Sequence, residues 1–154
     1  MTNSSFSKTT GRLLVAAVPI RGRSVPVLFA AYPKWKLSKS QNAFEEGFFT
    51  LLQALLPAKA QAVVVADRGF HRAELAKHLQ TTGLGYVIRV NGRTYFASER
   101  HAGRLDGVRL RPGEHVDLEF GAYRKSRPVR QRVIVCWKKH YDEQWFLATD
   151  LDWG

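Results

Sequence analysis

One carboxylate in the sequence stands where an α/β sheet can use it for chemistry. Asp67 directly follows an apolar run, residues 62–66, and precedes Arg68. Open α/β sheets bind ligands beyond the carboxyl ends of their strands, and magnesium prefers oxygen ligands, of which a protein often supplies only one or two. Asp67 is therefore a candidate magnesium ligand. Taken by itself, the residue pattern favours a structural role, in which Asp67 caps the following helix or pairs with Arg68 or Arg72.

A dense run of positive charge is the second feature with chemical meaning. The chain of 154 residues carries a formal net charge of +11, and such a surface attracts polyanions and gains affinity by displacing counterions from phosphates. No Asp or Glu lies between Gly121 and Lys139. The candidate DNA-binding residues of this basic patch are Arg124, Lys125, Arg127, Arg130, Arg132, Lys138 and Lys139. Charge alone also allows a solvated basic face or an RNA contact of the ribosomal type.

Other kinds of site find little support in the sequence. The single cysteine, Cys136, cannot form an internal disulfide, and the five histidines show no metal-ligand spacing. No apolar stretch approaches the roughly 18 residues of a membrane span, and the first ten residues are polar. We therefore expect a globular protein of the reducing cytoplasm with no membrane partner.

Hydrophobic periodicity predicts how Asp67 is positioned. Two apolar runs joined by a Gly-containing turn predict an antiparallel hairpin, and Phe44, Phe48, Leu51 and Leu55 form one face of a helix that Pro57 ends. The uninterrupted run 62–66 predicts a strand buried on both faces of a sheet. The predicted order is a hairpin (13–18 and 25–31), a helix from residue 42, a strand (62–66), a helix (72–80) that ends near Gly83, and a strand (86–90). This order indicates an α/β fold with mixed strand direction.

From residue 93 onward the pattern changes to short alternating segments separated by turn residues. The predicted strands are 94–97, 108–110, 115–120, 130–137 and 144–148. This half therefore predicts a small antiparallel β unit that carries the basic patch.

Several stretches, in the same order along the chain, resemble one protein family. The run Ala66-Asp67-Arg68-Gly69-Phe70, before a helix with Glu74 and Leu75, resembles the second-aspartate motif of DDE transposases in the insertion-sequence-four group. Residues 13–28 look like the second and third strands of that family, 85–90 look like its fifth strand, and 145–151 are similar to the segment that returns from its β insertion. The resemblance covers nearly the whole chain from Arg12.

The resemblance implies a fold, a reaction and a role for Asp67. The expected fold is a partial ribonuclease H-like mixed sheet with flanking helices, followed by an antiparallel β insertion. The expected domains are a polar tail (1–11), the partial transposase core (12–92) and the basic β-rich insertion (93–154). In this family three acids hold two divalent ions, Mg²⁺ by expectation, for phosphoryl transfer at transposon-end DNA. Asp67 matches the second acid, which is both a catalytic residue and a metal ligand.

The sequence departs from the family pattern at the other two acids. The first belongs on a strand before the hairpin, yet no Asp or Glu precedes Glu45, and the third belongs to a helix beyond the β insertion. We therefore expect a transposase chain truncated at both ends, inactive alone and only marginally folded, with unpaired strand edges where the first strand would lie. An intact transposase copy or a complementary fragment is the expected protein partner.

Two other functions remain open at this stage. One is a non-catalytic DNA- or RNA-binding module that uses the basic patch, residues 121–139. The other is a different ribonuclease H-like nuclease whose partner chain supplies the missing acids.

Overall fold

The computed structural model describes residues 11–33, 41–123 and 128–152. These residues belong to two units, Met1–Leu56 and Pro57–Gly154, and each unit is described by itself below. Arg124, Lys125 and Arg127 of the basic patch lie outside the described residues.

The N-terminal unit is an antiparallel hairpin with one helix. Strands β1 (Gly11–Ile20) and β2 (Arg23–Pro33) pair along their whole length, and helix α1 spans Gln41–Leu55. The turn between the strands consists of Arg21 and Gly22, both with positive φ, at 49° and 78°. Two-residue turns of this kind match the twist of the strands that they join. The hairpin and the helix are confirmed, and the strands are longer than the sequence pattern predicts.

The C-terminal unit contains one seven-stranded mixed sheet. Its strands run in the order β3-β4-β9-β8-β7-β5-β6. Only β3 and β4 are parallel, and the other neighbours are antiparallel. The elements are β3 (Val63–Ala66), α2 (Ala73–Thr82), β4 (Gly85–Val90), β5 (Tyr95–Ala97), β6 (Ala102–Arg104), β7 (His115–Tyr123), β8 (Val129–Cys136) and β9 (Trp145–Thr149). This α/β architecture is consistent with a partial ribonuclease H-like fold.

The core of this unit lies between α2 and one face of the sheet. Leu75 and Leu79 on α2 are fully buried, as are Tyr86 on β4 and Val133 on β8. Alternate residues of β4 and β8 are buried, as a strand with one covered face requires. Helix α2 ends at Gly83, whose left-handed backbone confirms the predicted end of the helix.

Two predictions about strands are wrong. Residues 108–110 do not form a strand. The run 62–66 was predicted to be buried on both faces, but Val63 and Val65 are 47% and 79% exposed, because the face of β3 that they share is not covered. The expectation of an unpaired edge is confirmed, since no described strand pairs with the outer edge of β3.

The two halves that the sequence pattern distinguishes share this sheet. Strand β9 pairs with β4 on one side and with β8 on the other. A domain boundary at residues 92 and 93 stays a prediction, and the hydrogen-bonded sheet continues across it.

Candidate functional site

Asp67 occupies the carboxyl end of β3, where its carboxylate is exposed. Its backbone is extended (φ −84°, ψ 175°), and a single turn of 3-10 helix, Arg68–Phe70, follows. The backbone carbonyl of Asp67 accepts a hydrogen bond from the N–H of Phe70 at 3.0 Å, but the side chain makes no capping hydrogen bond. The helix-cap interpretation is therefore wrong. Within the described part of the chain, no hydrogen bond or ion pair uses the Asp67 carboxylate.

The described residues do not form a metal site around Asp67. Across residues 11–33, 41–123 and 128–152, no group of three or more His, Cys, Asp or Glu side chains could hold a metal ion. A two-metal site needs several carboxylates, because each divalent ion takes multiple oxygen ligands. Asp67 could supply one ligand to such a site, and the described residues around it do not supply the others.

Two other carboxylates close to the sheet have structural roles. Asp150 accepts a hydrogen bond from the backbone N–H of Tyr86 at 2.9 Å, which joins the segment after β9 to β4. Asp152 lies 3.4 Å from a guanidinium nitrogen of Arg132. These contacts tie both carboxylates to the sheet.

A polar cleft lies at the same edge of the sheet as Asp67. Because β3 and β4 are parallel, with Ala66 opposite Ile88, the residues that follow both strands meet there. The cleft, of about 210 Å³, is lined by Arg68, Arg89, Asn91, Gly92, Arg93 and Glu143, among others. The sequence pattern did not predict this cleft, because its lining residues come from several short segments far apart in the chain.

Arg89 is held at one wall of this cleft. Its Nη2 atom lies 2.5 Å from Oε1 of Glu143, and its Cζ atom lies 4.4 Å from the centre of the Trp145 ring. Arginine over an aromatic face gains a cation–π attraction. Arg89 is therefore fixed in position, with most of its side chain covered.

Arg132 of the basic patch pairs with an acidic residue on the neighbouring strand of the sheet. It donates hydrogen bonds from Nε and Nη2 to Oδ2 of Asp117 on β7, at 2.9 and 2.5 Å. The hydrogen bond from Arg132 holds the pKa of Asp117 below its usual value, and a backbone hydrogen bond from Glu119 adds to the effect. Asp117 lies outside the acid-free run of the sequence, so sequence spacing alone did not reveal this pair.

The other described cations of the patch are more exposed. Arg130, on β8, lies 4.2 Å from the centre of the Phe120 ring. Lys138 and Lys139 follow β8 and are exposed, although the side chain of Lys139 packs along Gly113. These three cations are accessible to a polyanion, and their DNA-binding role remains a prediction.

Comparison with known proteins gives one result. The family model described as "Transposase DDE domain" matches residues 38–150. No curated protein and no solved structure matches the chain significantly. None of the helices in the described ranges is long and apolar enough to cross a membrane.

Proposed function

The chain belongs to the transposase DDE domain family, and on that basis we propose that Asp67 is one acid of a phosphoryl-transfer site that acts on transposon-end DNA. We also propose that the chain belongs to the insertion-sequence-four group and that it acts in the cytoplasm, where bacterial DNA lies. The observation that carries it is the position of Asp67, at the carboxyl end of a parallel strand inside the region matched by the family model. Open α/β sheets place their ligand sites at such ends.

The state of the Asp67 side chain supports this role. It is exposed and does not cap the turn that follows, so its oxygens remain available to a ligand. A carboxylate with a purely structural role is normally tied by hydrogen bonds, as Asp150 is to the backbone of Tyr86.

The same geometry leads us to propose that the chain is inactive by itself. The family reaction uses Mg²⁺, but the donors in the described ranges do not complete a site for it. We propose that the other acids come from a second polypeptide, either an intact transposase copy or a complementary fragment. The outer edge of β3, with which no described strand pairs, gives such a polypeptide a place to add a strand.

The test is a reconstitution of DNA cleavage. The chain is mixed with polypeptides that carry the first-acid strand and the third-acid helix of the family, and cleavage of a transposon-end duplex is measured with Mg²⁺. We expect no cleavage by the chain alone and cleavage by the mixture. Asp67→Asn should lower the rate by at least about 100-fold, as the loss of one essential electrostatic group does.

The matched control is Asp142→Asn, which removes an exposed carboxylate from a loop. It should leave the rate unchanged. Full activity of the Asp67→Asn mixture would contradict the catalytic role of Asp67. Cleavage by the chain alone would contradict the requirement for a second polypeptide.

A second candidate function is a non-catalytic nucleic-acid-binding module. The exposure of Arg130, Lys138 and Lys139 favours it, because cations on a surface bind phosphates without any catalytic acid. Such a module would bind DNA in a salt-dependent way and would show no Asp67-dependent cleavage in any mixture.

A further inference from the structure

We propose that the cleft beside Asp67 binds a phosphate group of the DNA backbone, with Arg68 and Arg93 as its main ligands. The inference rests on the proposed function for the identity of the polyanion, but the site itself follows from the geometry. It is separate from the basic patch, and it names residues outside the run 121–139.

The position of the cleft follows from the parallel pairing of β3 and β4. Arg68 stands one residue after Asp67, and Arg93 lies in the turn that follows β4. Parallel strands end at the same edge of the sheet, so both side chains line one cleft. Asp67 precedes Arg68 in the chain but does not itself line the cleft.

Arg68 and Arg93 have their guanidinium groups available. Both residues are exposed, and no described ion pair or side-chain hydrogen bond uses either guanidinium. The guanidinium fork matches phosphate oxygens in a bidentate way and remains charged at any physiological pH. Two such groups at one cleft are a chemical match for an anion with several oxygens.

The acids of the cleft are already neutralised by other arginines. Glu143 pairs with Arg89, and Asp106 pairs with Arg104. The charge of Arg68 and Arg93 is therefore not cancelled by the acids that line the cleft with them. A positive excess remains for an incoming anion.

The turn at Gly92, which lines the cleft, packs closely against the ring of Phe146. A Cβ atom at Gly92 would lie 2.8 Å from Cε2 of Phe146, so only glycine lets the turn approach β9 this closely. The turn is further held by Arg93 N–H, which donates to Oδ1 of Asn91 at 2.9 Å, and by Asp106 N–H, which donates to the carbonyl of Gly92 at 2.7 Å. A rigid turn presents Arg93 to a ligand with little loss of backbone entropy.

The test compares the affinity of three double variants of the full chain for a short fluorescein-labelled DNA duplex. Anisotropy is measured without divalent ions at several salt concentrations. The cleft variant is Arg68→Gln with Arg93→Gln, and the patch variant is Arg130→Gln with Lys138→Gln. The matched control is Arg109→Gln with Arg111→Gln, which removes the same charge from an exposed loop outside the cleft.

The expected result is a specific loss in the cleft variant. Its affinity should fall at least about tenfold and its salt slope should decrease by about 2, since each phosphate contact contributes close to 0.9. The control should lose less than about threefold. An equal loss in the cleft variant and the control would overturn the proposal, because the effect would then be general attraction.

A fourth variant tests the cleft in the opposite direction. Glu143→Gln removes the negative charge that neutralises Arg89, so we expect tighter binding of the duplex by about two- to fivefold. Its control is Asp142→Asn, which removes an exposed carboxylate outside the cleft. If the cleft variant does not fold, tighter binding by Glu143→Gln than by Asp142→Asn supports the site, and equal or weaker binding overturns it. The affinity experiment measures no cleavage, so its outcome is independent of the Asp67 reconstitution. Failure of one experiment leaves the result of the other intact.

Discussion

Two arginines of the basic patch and two of the cleft beside Asp67 differ in what already binds them. On β8, Arg132 is held by Asp117 and Arg130 lies over the Phe120 ring. At the cleft, Arg68 and Arg93 are exposed and line a space that a ligand can enter. The patch has the higher density of charge along the sequence, whereas at the cleft no described ion pair uses the guanidinium of Arg68 or Arg93.

This comparison shows that charge density in a sequence does not measure available charge. A guanidinium that already donates to a carboxylate must give up those hydrogen bonds before it binds a phosphate. Part of the patch therefore stabilises the sheet, whereas Arg68 and Arg93 of the cleft contribute little to folding. Three measurements test this difference, in order of expected effect.

Alanine substitution of one glycine in each region should have the largest effect. At Gly121, on the patch strand β7, a Cβ would lie 2.2 Å from the backbone oxygen of Ala97, whereas at Gly92 it meets the Phe146 ring at 2.8 Å. Because a ring shifts more easily than a paired strand, we expect Gly121→Ala to lower the free energy of unfolding by about 3 kcal/mol and Gly92→Ala by about 1–2 kcal/mol. Chemical denaturation measures both.

Gly107→Ala is the control for these two variants. A Cβ at Gly107 has nothing within 4 Å, so its cost should stay within about 0.5 kcal/mol. A Gly92 variant less stable than the Gly121 variant would reverse the ranking of the two regions.

Removal of one arginine from each region should have an intermediate effect. Arg132→Gln removes two hydrogen bonds from Asp117 and leaves that half-buried carboxylate without its cation. We expect the midpoint of thermal unfolding to fall by several degrees. Arg93→Gln should leave stability within about 0.5 kcal/mol, as for other exposed side chains. Equal midpoints for the two variants would show that the Arg132 pair does not stabilise the fold.

The pH dependence of stability should show the smallest effect. Hydrogen bonding from Arg132 lowers the pKa of Asp117 in the folded chain, so the pair stabilises the fold above the unfolded pKa of about 3.9. This contribution is lost as the pH falls through the folded pKa. The difference in urea midpoint between the native chain and Asp117→Asn should therefore shrink as the pH falls from about 6 to about 3. A difference that stays constant would mean that Asp117 does not titrate differently in the two states.

The local pattern of the sequence predicted most elements, and it failed where pairing is long-range. The hairpin, both helices and the strands at β3, β4, β7, β8 and β9 follow from hydrophobic periodicity and turn residues. Strand β6 was not predicted, because Ala102–Arg104 has no alternating pattern. The exposure of Val65 was not predicted either, because an apolar run does not say what covers each face of its strand.

The candidate site also has one part that local sequence predicts and another that depends on long-range pairing. Asp67 could be named as a candidate because an acid after an apolar run is a local signal, and its role stays a prediction. The cleft depends on the turn after β4, the turn after β3 and the loop before β9, which come together only through the sheet order. The Arg132–Asp117 pair likewise depends on the register of β7 and β8, where a bulge lies between Asp117 and Phe120.

The pairing of β4 with β9 also sets the order in which the chain can fold during synthesis. Val90 pairs with Phe146, so β4 leaves the ribosome well before its antiparallel neighbour exists. At a synthesis rate of roughly 5–20 residues per second, several seconds pass between the synthesis of β4 and that of β9. Through that interval one edge of β4 stays open to other strands, because β9 and Thr149, which donates to the carbonyl of Tyr86 at 2.5 Å, are not yet made. A chaperone that shields this edge would therefore raise the yield of folded chain more than one that acts on the local β1–β2 hairpin.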